Sequence, residues 1–235
     1  FNFKNKFKLG DVLVLEFDES NNIFNLSQIP KVNGGMVVMD NRTGRVLAMI
    51  GGYDSSSSFN RSTQAKRQLG SSFKPIVYLT ALENDYTPIS KVLDAPFVVD
   101  DYSDKGVWRP TNYGDKFYGP STLRLGIEKS RNLMTVRLSD QLGLDKISKV
   151  SLKLGVYEKF PNLISSSLGS LESTLQKITA AYATIANGGY KVEANLIDVI
   201  YDSNGEVLYK ADQRQCLDCV VDNNLISNPS ALKRI

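Results

Sequence analysis

The sequence contains no histidine, which excludes catalytic triads that depend on histidine, histidine-ligated zinc and the most common general base. It also has no run approaching the roughly 18 consecutive apolar residues that a membrane span needs, and Phe1 opens no signal-peptide pattern. We therefore expect any membrane anchor to lie outside these residues. Lysine and arginine outnumber aspartate and glutamate by only 28 to 25, without a basic stripe, so nucleic acid is not an expected partner.

Cysteine is almost absent: Cys216 and Cys219 form a single Cys-x-x-Cys. Two thiolates are half of what a closed zinc site requires, so we expect no metal site there. A thioredoxin-like redox pair would open a helix in a βαβ unit, whereas the residues before Cys216 are typical of a loop. If the protein is exported, a short-loop disulfide between the two cysteines is the favoured interpretation.

What the sequence does contain is the composition of a globular protein, with 42% hydrophobic and 23% charged residues in 235. That length predicts one large domain with room for a small appendage. Two apolar segments near the start, 12–15 and 23–29, predict short strands. We place a domain boundary near Asn33. Residues 1–33 would end a small β module or linker, and residues 34–235 would form part of the main domain.

Apolar periodicity predicts strands, then several helices, then strands again. The order of elements indicates an α+β domain with an antiparallel sheet flanked by a helical cluster. The expected elements are a hairpin of buried strands at 36–39 and 46–50, a buried helix at 71–83, helices at 121–129 and 132–142, a helix capped by Asp145 with Leu152 on its apolar face, a last helix with a capping box at Ser173 and Gln176, and a hairpin at 192–201 and 206–209.

Ser71 and Lys74 lie three residues apart at the start of the predicted buried helix. Positions three apart share one helix face, so the lysine amine can reach the serine oxygen. In a chain without histidine, a desolvated lysine is a plausible base for a serine nucleophile. Ser230 and Lys233 have the same spacing but no buried helix behind them, so the spacing alone is weak.

A second expected part is a Ser-x-Asn, whose hydroxyl would relay a proton and whose amide would hold substrate. Three segments match, beginning at Ser20, Ser58 and Ser130. Ser130 alone lies at a tight connection between two predicted helices, so we select Ser130 and Asn132. The simpler alternative is that Ser71 and Ser130 are helix caps and that the lysine is solvated.

The motifs together resemble the bifunctional class A penicillin-binding proteins of bacterial cell-wall synthesis. The resemblance spans about 32–190 and includes the Ser-x-x-Lys and Ser-x-Asn elements of that family. The residues that carry it are Gly34 to Asp40, Gly44, Gly51 to Tyr53, Phe59 to Arg61, Gln64, Ala65, Arg67, Gln68, Gly70 to Pro75, Trp108 to Tyr113, Ser130 to Asn132, Leu168, Gly169, Ala180 to Ala183 and Ala186 to Tyr190.

This resemblance implies a serine β-lactamase/DD-peptidase-like fold, incomplete in these residues, and a D,D-transpeptidase. Ser71 would attack the penultimate carbonyl of a D-Ala-D-Ala stem peptide, with Lys74 and Ser130 as catalytic partners. Asn132, Trp108 and Asn112 would bind substrate, although Trp108 could equally be a core aromatic. β-lactams would be trapped on the serine. The resemblance implies no cofactor, a location at the extracytoplasmic or periplasmic face of the cytoplasmic membrane, and a place in a cell-wall synthesis complex.

The family's third element, a Lys-Thr-Gly or Lys-Ser-Gly on a strand, is missing from the sequence. Its absence puts the activity of these residues by themselves in question. The resemblance also implies a glycosyltransferase domain and a membrane anchor upstream of Phe1.

Two other functions remain open from the sequence. A serine β-lactamase needs a carboxylate that activates water, and Glu172 is the candidate, although compensation of a helix dipole explains it better. A non-enzymatic β-lactam sensor or pseudoenzyme scaffold would keep the serine or only the shape. Asp100, Asp101 and Asp104 could suggest calcium, but they lack the EF-hand pattern and are typical of a solvated loop.

Overall fold

The first element of the computed structural model, which describes residues 7–53, 58–101 and 106–213, is an antiparallel hairpin. Strand β1 (Val14–Asp18) pairs with strand β2 (Ile23–Ser27). The prediction of short strands at the start of the chain is therefore confirmed. The domain boundary that we place after these strands stays a prediction.

A second hairpin consists of β3 (Met36–Met39) and β4 (Val46–Ile50), at the predicted place. The prediction that both strands are buried is wrong, because Met36 and Ile50 are 50% and 52% exposed. Helix α5 (Leu175–Ala186) packs against β3, but within the described residues no third strand pairs with this hairpin. Apolar strand residues therefore remain partly open to solvent.

The hydrophobic core forms around helix α1 (Lys74–Leu82), which follows a 3₁₀ turn at Gly70–Phe73. Because α1 is apolar on nearly every face, other helices must surround it. Helices α3 (Asn132–Leu142) and α4 (Leu144–Lys153) pack against it, which confirms the predicted buried helix. Fully buried members of this core include Phe73, Ile76, Val77, Leu138 and Ile147.

Helix α2 (Leu123–Glu128) begins later than its predicted start at Ser121. The reason is a strand that the sequence analysis missed, β9 (Gly119–Thr122), which pairs with β6 (Lys91–Asp94). Thr122 then caps α2, since its hydroxyl accepts a backbone N–H of the first turn. The pairing of β6 with β9 brings parts of the long irregular region between α1 and α2, residues 83–122, close to the helical core.

Helix α3 covers 132–142 as predicted and meets α4 at Gly143, whose φ of +84° suits glycine. The prediction that Asp145 caps α4 is wrong, because Gly143 occupies the N-cap and Asp145 lies in the first turn. Leu152, assigned to the apolar face of α4, is 41% exposed. The other predicted members of that face, Ile147, Val150 and Leu154, are buried, so only Leu152 was assigned wrongly.

Helix α5 is capped by Thr174, whose hydroxyl accepts a backbone N–H of the first turn. The predicted capping box of Ser173 and Gln176 is therefore wrong. Ser173 instead belongs to β10 (Glu172–Ser173), which pairs with β5 (Arg67–Gln68). Strands of two residues are too short to leave a periodic signal in a sequence.

The remaining strands form two more antiparallel pairs. Strand β7 (Val99–Asp101) pairs with β8 (Gly106–Trp108). Strand β11 (Val199–Tyr201) pairs with β12 (Val207–Lys210), which confirms the last predicted hairpin, although its first strand starts at Val199 and not at Val192. All strand pairs of the described chain are antiparallel, as an α+β domain of this class requires, but they are joined two by two and not into one sheet. Across the same ranges, no helix is long and apolar enough to span a membrane.

Candidate active site

Ser71 is exposed in the 3₁₀ turn that leads into α1. The turn is fixed from behind, because the N–H of Gly70 donates to the carbonyl of Gly169 at 2.9 Å. A Cβ on Gly169 would lie 2.2 Å from the Gly70 carbonyl oxygen, so the close approach requires glycine. Within the described residues the Ser71 N–H has no backbone acceptor, which leaves it available to a ligand at a helix start.

Lys74, the first residue of α1, is 1% exposed. Its Nζ donates to the backbone oxygen of Ser130 at 2.7 Å, to the Ser130 Oγ at 2.9 Å and to the Oδ1 of Asn132 at 2.6 Å. All three acceptors are neutral, and no carboxylate of the described chain forms an ion pair with the amine. Burial therefore lowers the pKa of Lys74 to about 8.

The sequence predicts that Lys74 reaches Ser71, whereas the three hydrogen bonds of its Nζ go to Ser130 and Asn132. A neutral amine keeps two protons and gains a lone pair, so one of the three partners must then become a donor. The Ser130 hydroxyl can do so, whereas the other two partners are carbonyl oxygens. Loss of one proton would therefore reverse the bond between Lys74 and the Ser130 hydroxyl.

Ser130 lies at the junction of α2 and α3, as predicted, with a φ of +52°. A left-handed conformation costs a residue with a Cβ roughly 1–2 kcal/mol. The turn is held by the bond from Ser130 N to the Ile127 oxygen and by the bond from Arg131 N to the Gly126 oxygen. It directs both the hydroxyl and the carbonyl of Ser130 to one amine. Such conformations often accompany function.

Asn132 is oriented by its own amide group, whose Nδ2 donates to the Thr111 oxygen at 2.8 Å, so that Oδ1 faces Lys74. Asn112 lies behind it and is 4% exposed. The Asn112 Oδ1 accepts from the N–H of Asn132, and its Nδ2 donates to Asp94. Since the amide is buried with both polar atoms engaged, the geometry does not support the predicted contact of Asn112 with substrate.

Trp108 ends β8 opposite Val99 and is half-buried. Among the described residues, no hydrogen bond or ring contact joins Trp108 to the lysine or to either serine of the candidate site. The structure therefore brings together Lys74, Ser130 and Asn132, places Ser71 one helical turn before the lysine, and shows no hydrogen bond or ring contact from Trp108 to these described residues.

Three residues at this site escaped the sequence analysis. Asp94 is 0% exposed, and its Oδ1 accepts the Asn112 amide. The Arg131 Nε lies 3.9 Å from the other carboxylate oxygen of Asp94. The Arg131 guanidinium also covers the Tyr118 ring, 3.3 Å from its centroid. The middle position of Ser-x-Asn was a signal for Arg131, but a single aspartate in an irregular region gives no sign that it will be buried.

The competing motifs lie elsewhere. Ser20 is exposed in the β1–β2 turn, and Asn60 of the Ser58 motif accepts the N–H of Ser62 and not the lysine. Glu172 is exposed on β10. Asp104, Ser230, Lys233 and both cysteines, Cys216 and Cys219, lie outside the described residues, so the predicted disulfide stays a prediction. The described residues contain no cluster of side chains that could hold a metal ion. The backbones of Asp100 and Asp101 belong to β7.

The chain matches the family model for the penicillin-binding protein transpeptidase domain over residues 34–228. It is 47% identical to penicillin-binding protein 1A of Rickettsia conorii over 94% of this chain and 28% of that protein. It is 41% identical to penicillin-binding protein 1A of Pseudomonas aeruginosa over 79% of this chain and 23% of that protein. The chain thus spans less than a third of the length of these relatives.

Solved structures give the same result. The crystal structure of penicillin-binding protein 1A from Haemophilus influenzae superposes with a TM-score of 0.77 at 31% identity, over 86% of this chain and 30% of that one. PonA1 of Mycobacterium tuberculosis, solved in complex with penicillin V, superposes with a TM-score of 0.68 over 77% of this chain and 51% of that one. Its 24% identity supports a common fold.

Proposed function

Because the chain belongs to the family of penicillin-binding protein transpeptidase domains, we propose that its parent is a serine D,D-transpeptidase that cross-links peptidoglycan stem peptides and is acylated by β-lactams. The observation that carries this proposal is the environment of the buried Lys74 amine. The amine donates only to neutral oxygens, and one of them is the Ser130 hydroxyl. A lysine in this setting can lose a proton near neutral pH and act as a base.

Acylation would begin with attack of the Ser71 Oγ on the penultimate carbonyl of a D-Ala-D-Ala stem. The neutral Lys74 amine would turn its lone pair from the Ser130 hydroxyl to Ser71 and take the Ser71 hydroxyl proton, and a C–O bond would form as the amide C–N bond breaks. The departing D-alanine nitrogen needs a proton, which the Ser130 hydroxyl can deliver and recover from Lys74, since the two are 2.9 Å apart.

The developing oxyanion requires hydrogen-bond donors that are already in place. The N–H of Ser71 meets this need, because it lies at the start of a helical segment without a backbone acceptor in the described chain. In the second half of the reaction, the amine of a neighbouring stem would attack the acyl carbonyl, so that a C–N bond forms as the C–O bond to Ser71 breaks and the amine's proton returns to the Ser71 Oγ. Ser130 and Lys74 would then move the proton in the opposite direction.

The wider properties of the parent protein follow from the same family membership. We propose that it acts outside the cytoplasmic membrane, carries a membrane anchor and a glycosyltransferase domain beyond these residues, and works within a cell-wall synthesis complex. The hairpin of β1 and β2 would end a small module before a transpeptidase domain that starts near residue 34. A β-lactam sensor and a serine β-lactamase are not favoured, since the relatives named above are penicillin-binding proteins.

The test is labelling of the full-length protein with a fluorescent penicillin, followed by intact mass measurement. We expect a stable adduct on the wild type that is lost in Ser71→Ala. Ser72→Ala is the matched control, because Ser72 is an exposed neighbour in the same 3₁₀ turn. An adduct that persists in Ser71→Ala, or a folded wild type that takes no label, would disprove the serine mechanism.

A further inference from the structure

Helix α3 begins without a cap of its own, since the residue at its N-cap, Arg131, forms no side-chain capping bond. The first N–H groups of a helix need acceptors from outside it. Here the acceptor comes from 20 residues upstream: the Oδ1 of Asn112 accepts from the N–H of Asn132 at 2.8 Å and from the N–H of Leu133 at 3.2 Å. Asn112 therefore fixes the point at which the Ser130 turn becomes helix.

The amide of Asn112 is itself held in one orientation. Its Nδ2 donates to the Oδ1 of Asp94 at 2.7 Å and to the backbone oxygen of Lys116 at 2.9 Å. Asp94 is fully buried on β6, with Arg131 3.9 Å from its other oxygen. Rotation of the amide by 180° would place an oxygen against both acceptors and turn the NH₂ group towards the helix N–H groups. The buried carboxylate thus selects which end of Asn112 faces α3.

The residue that Asn112 holds is also the residue that binds the lysine. The backbone of Asn132 is tied to Asn112, its Nδ2 is tied to Thr111, and its Oδ1 accepts from Lys74 at 2.6 Å. A shift at the start of α3 would therefore move the Asn132 Oδ1, one of the three acceptors that orient the amine, and would disturb the adjoining turn at Ser130, which supplies the other two. We propose that Asn112 and Asp94 are positioning residues for the acyl transfer, a role that rests on the proposed function and acts through Asn132 and Lys74.

The alternative role for Asn112 and Asp94 is simply to stabilise the contact between α3 and β6. A different residue, Arg137, also stabilises that contact and allows the two roles to be separated. Arg137, about one and a half turns further along α3, donates to the backbone oxygens of Leu93, Ala95 and Pro96. It ties the same helix to the end of the same strand without touching the start of α3. Arg137→Met is therefore a control that loosens this packing and leaves Asn132 and Lys74 in place.

The experiment measures noncovalent penicillin affinity, the acylation rate constant and the melting temperature in the full-length protein. Asn112→Asp puts an oxygen opposite the Asp94 carboxylate, so we expect acylation to slow by about 10- to 100-fold, as small misplacements of catalytic groups do, with affinity changed less than threefold. Asp94→Asn keeps an acceptor for the Asn112 amide, so it should slow acylation by less than about fivefold. Arg137→Met should lower the melting temperature but slow acylation by less than threefold.

The double variant Asp94→Asn with Asn112→Asp restores a donor and acceptor between the two side chains. It also leaves the new carboxylate at a helix N-terminus, where negative charge is favourable. We expect it to acylate at least fivefold faster than Asn112→Asp alone, a coupling that a double-mutant cycle isolates. If Asn112→Asp does not fold, Asn112→Ser replaces it in the comparison with Arg137→Met. A serine side chain at this position is too short to reach the helix and adds no charge.

The outcomes separate the two proposals. A folded wild type that is not acylated would disprove the transpeptidase itself. An acylated wild type, with Asn112 variants that acylate at the wild-type rate or slow only as much as Arg137→Met at an equal loss of melting temperature, would overturn the positioning role alone.

Discussion

The helical core around α1 and the strand pair β11–β12 are both rich in apolar residues, yet they bury them very differently. Phe73 and Leu138 are 0% exposed, whereas Val207 and Leu208 of β12 are 55% and 69% exposed. Helix α1 is packed against α2, α3 and α4, while β11 and β12 form a two-stranded sheet in the described residues. The proposed catalytic groups therefore lie in the part of the molecule whose packing is already complete.

This difference in burial matters for the chemistry, because burial lowers the pKa of the Lys74 amine. The largest expected effect is on the pH dependence of acylation by a penicillin. Since burial lowers the pKa of Lys74 to about 8, the acylation rate constant should rise about tenfold per pH unit between roughly pH 6 and 7 and level off above 8. Stopped-flow acylation of the full-length protein across this range measures the profile, and a flat profile would contradict the role of Lys74 as a base.

The same pKa shift has a consequence for stability. The pKa of Lys74 is lower in the folded protein, about 8, than the ordinary lysine value of 10.5, so between these values the unfolded chain binds more protons. The free energy of unfolding should therefore rise with pH across this window and show no slope from this group below it. Lys74→Met should remove that slope, and Lys66→Met, a change at an exposed lysine, should keep it.

A smaller effect is expected where backbone contact fixes the Ser71 turn. Gly169 has a φ of +75° and would place a Cβ 2.2 Å from the Gly70 oxygen, while Gly155 has a φ of +72° with open space around it. Alanine at either position costs roughly 1–2 kcal/mol for its conformation. In urea unfolding, Gly169→Ala should lower the free energy of unfolding more than Gly155→Ala does. Gly169→Ala should also slow acylation by about tenfold.

Gly155→Ala should acylate at the wild-type rate, because it lies at the end of α4 and away from the Ser71 turn. If both alanine variants lose stability and activity equally, the contact between Gly169 and Gly70 does not position the proposed nucleophile, Ser71.

The sequence predicted the elements that have their own periodicity. The limits of α3 were correct, and α1 was recognised as buried, because apolar residues recur around a helix whatever it packs against. The caps of α4 and α5 were wrong, since several neighbouring residues can cap a helix and packing selects among them. Strands β5 and β10 were missed because two residues carry no pattern, and burial of β3 and β4 depends on neighbours that their own sequence does not specify.

The candidate site divides in the same way. Ser71, Lys74 and Ser130 could be chosen from spacing and from their places at helix ends. Asp94 could not, and Asn112 was named through the family resemblance with a different role, because their contact joins residues 18 positions apart and depends on which end of a buried amide faces the carboxylate. Spacing therefore identifies groups on one helix or one turn, whereas the groups that orient them come from the irregular region between helices.

The smallest expected effect is at Leu208, and it tests whether the exposed strand pair β11–β12 packs against the helical core around α1. Leu138→Ala removes a side chain that is 0% exposed and should cost about 2–5 kcal/mol, as such buried truncations do. Leu208→Ala makes the same change at a position that is 69% exposed and should stay within about 0.5 kcal/mol. Urea unfolding of the full-length variants measures both. A cost above roughly 1 kcal/mol for Leu208→Ala would mean that residues beyond those described cover β12, so that the helical core and this strand pair share one packed interior.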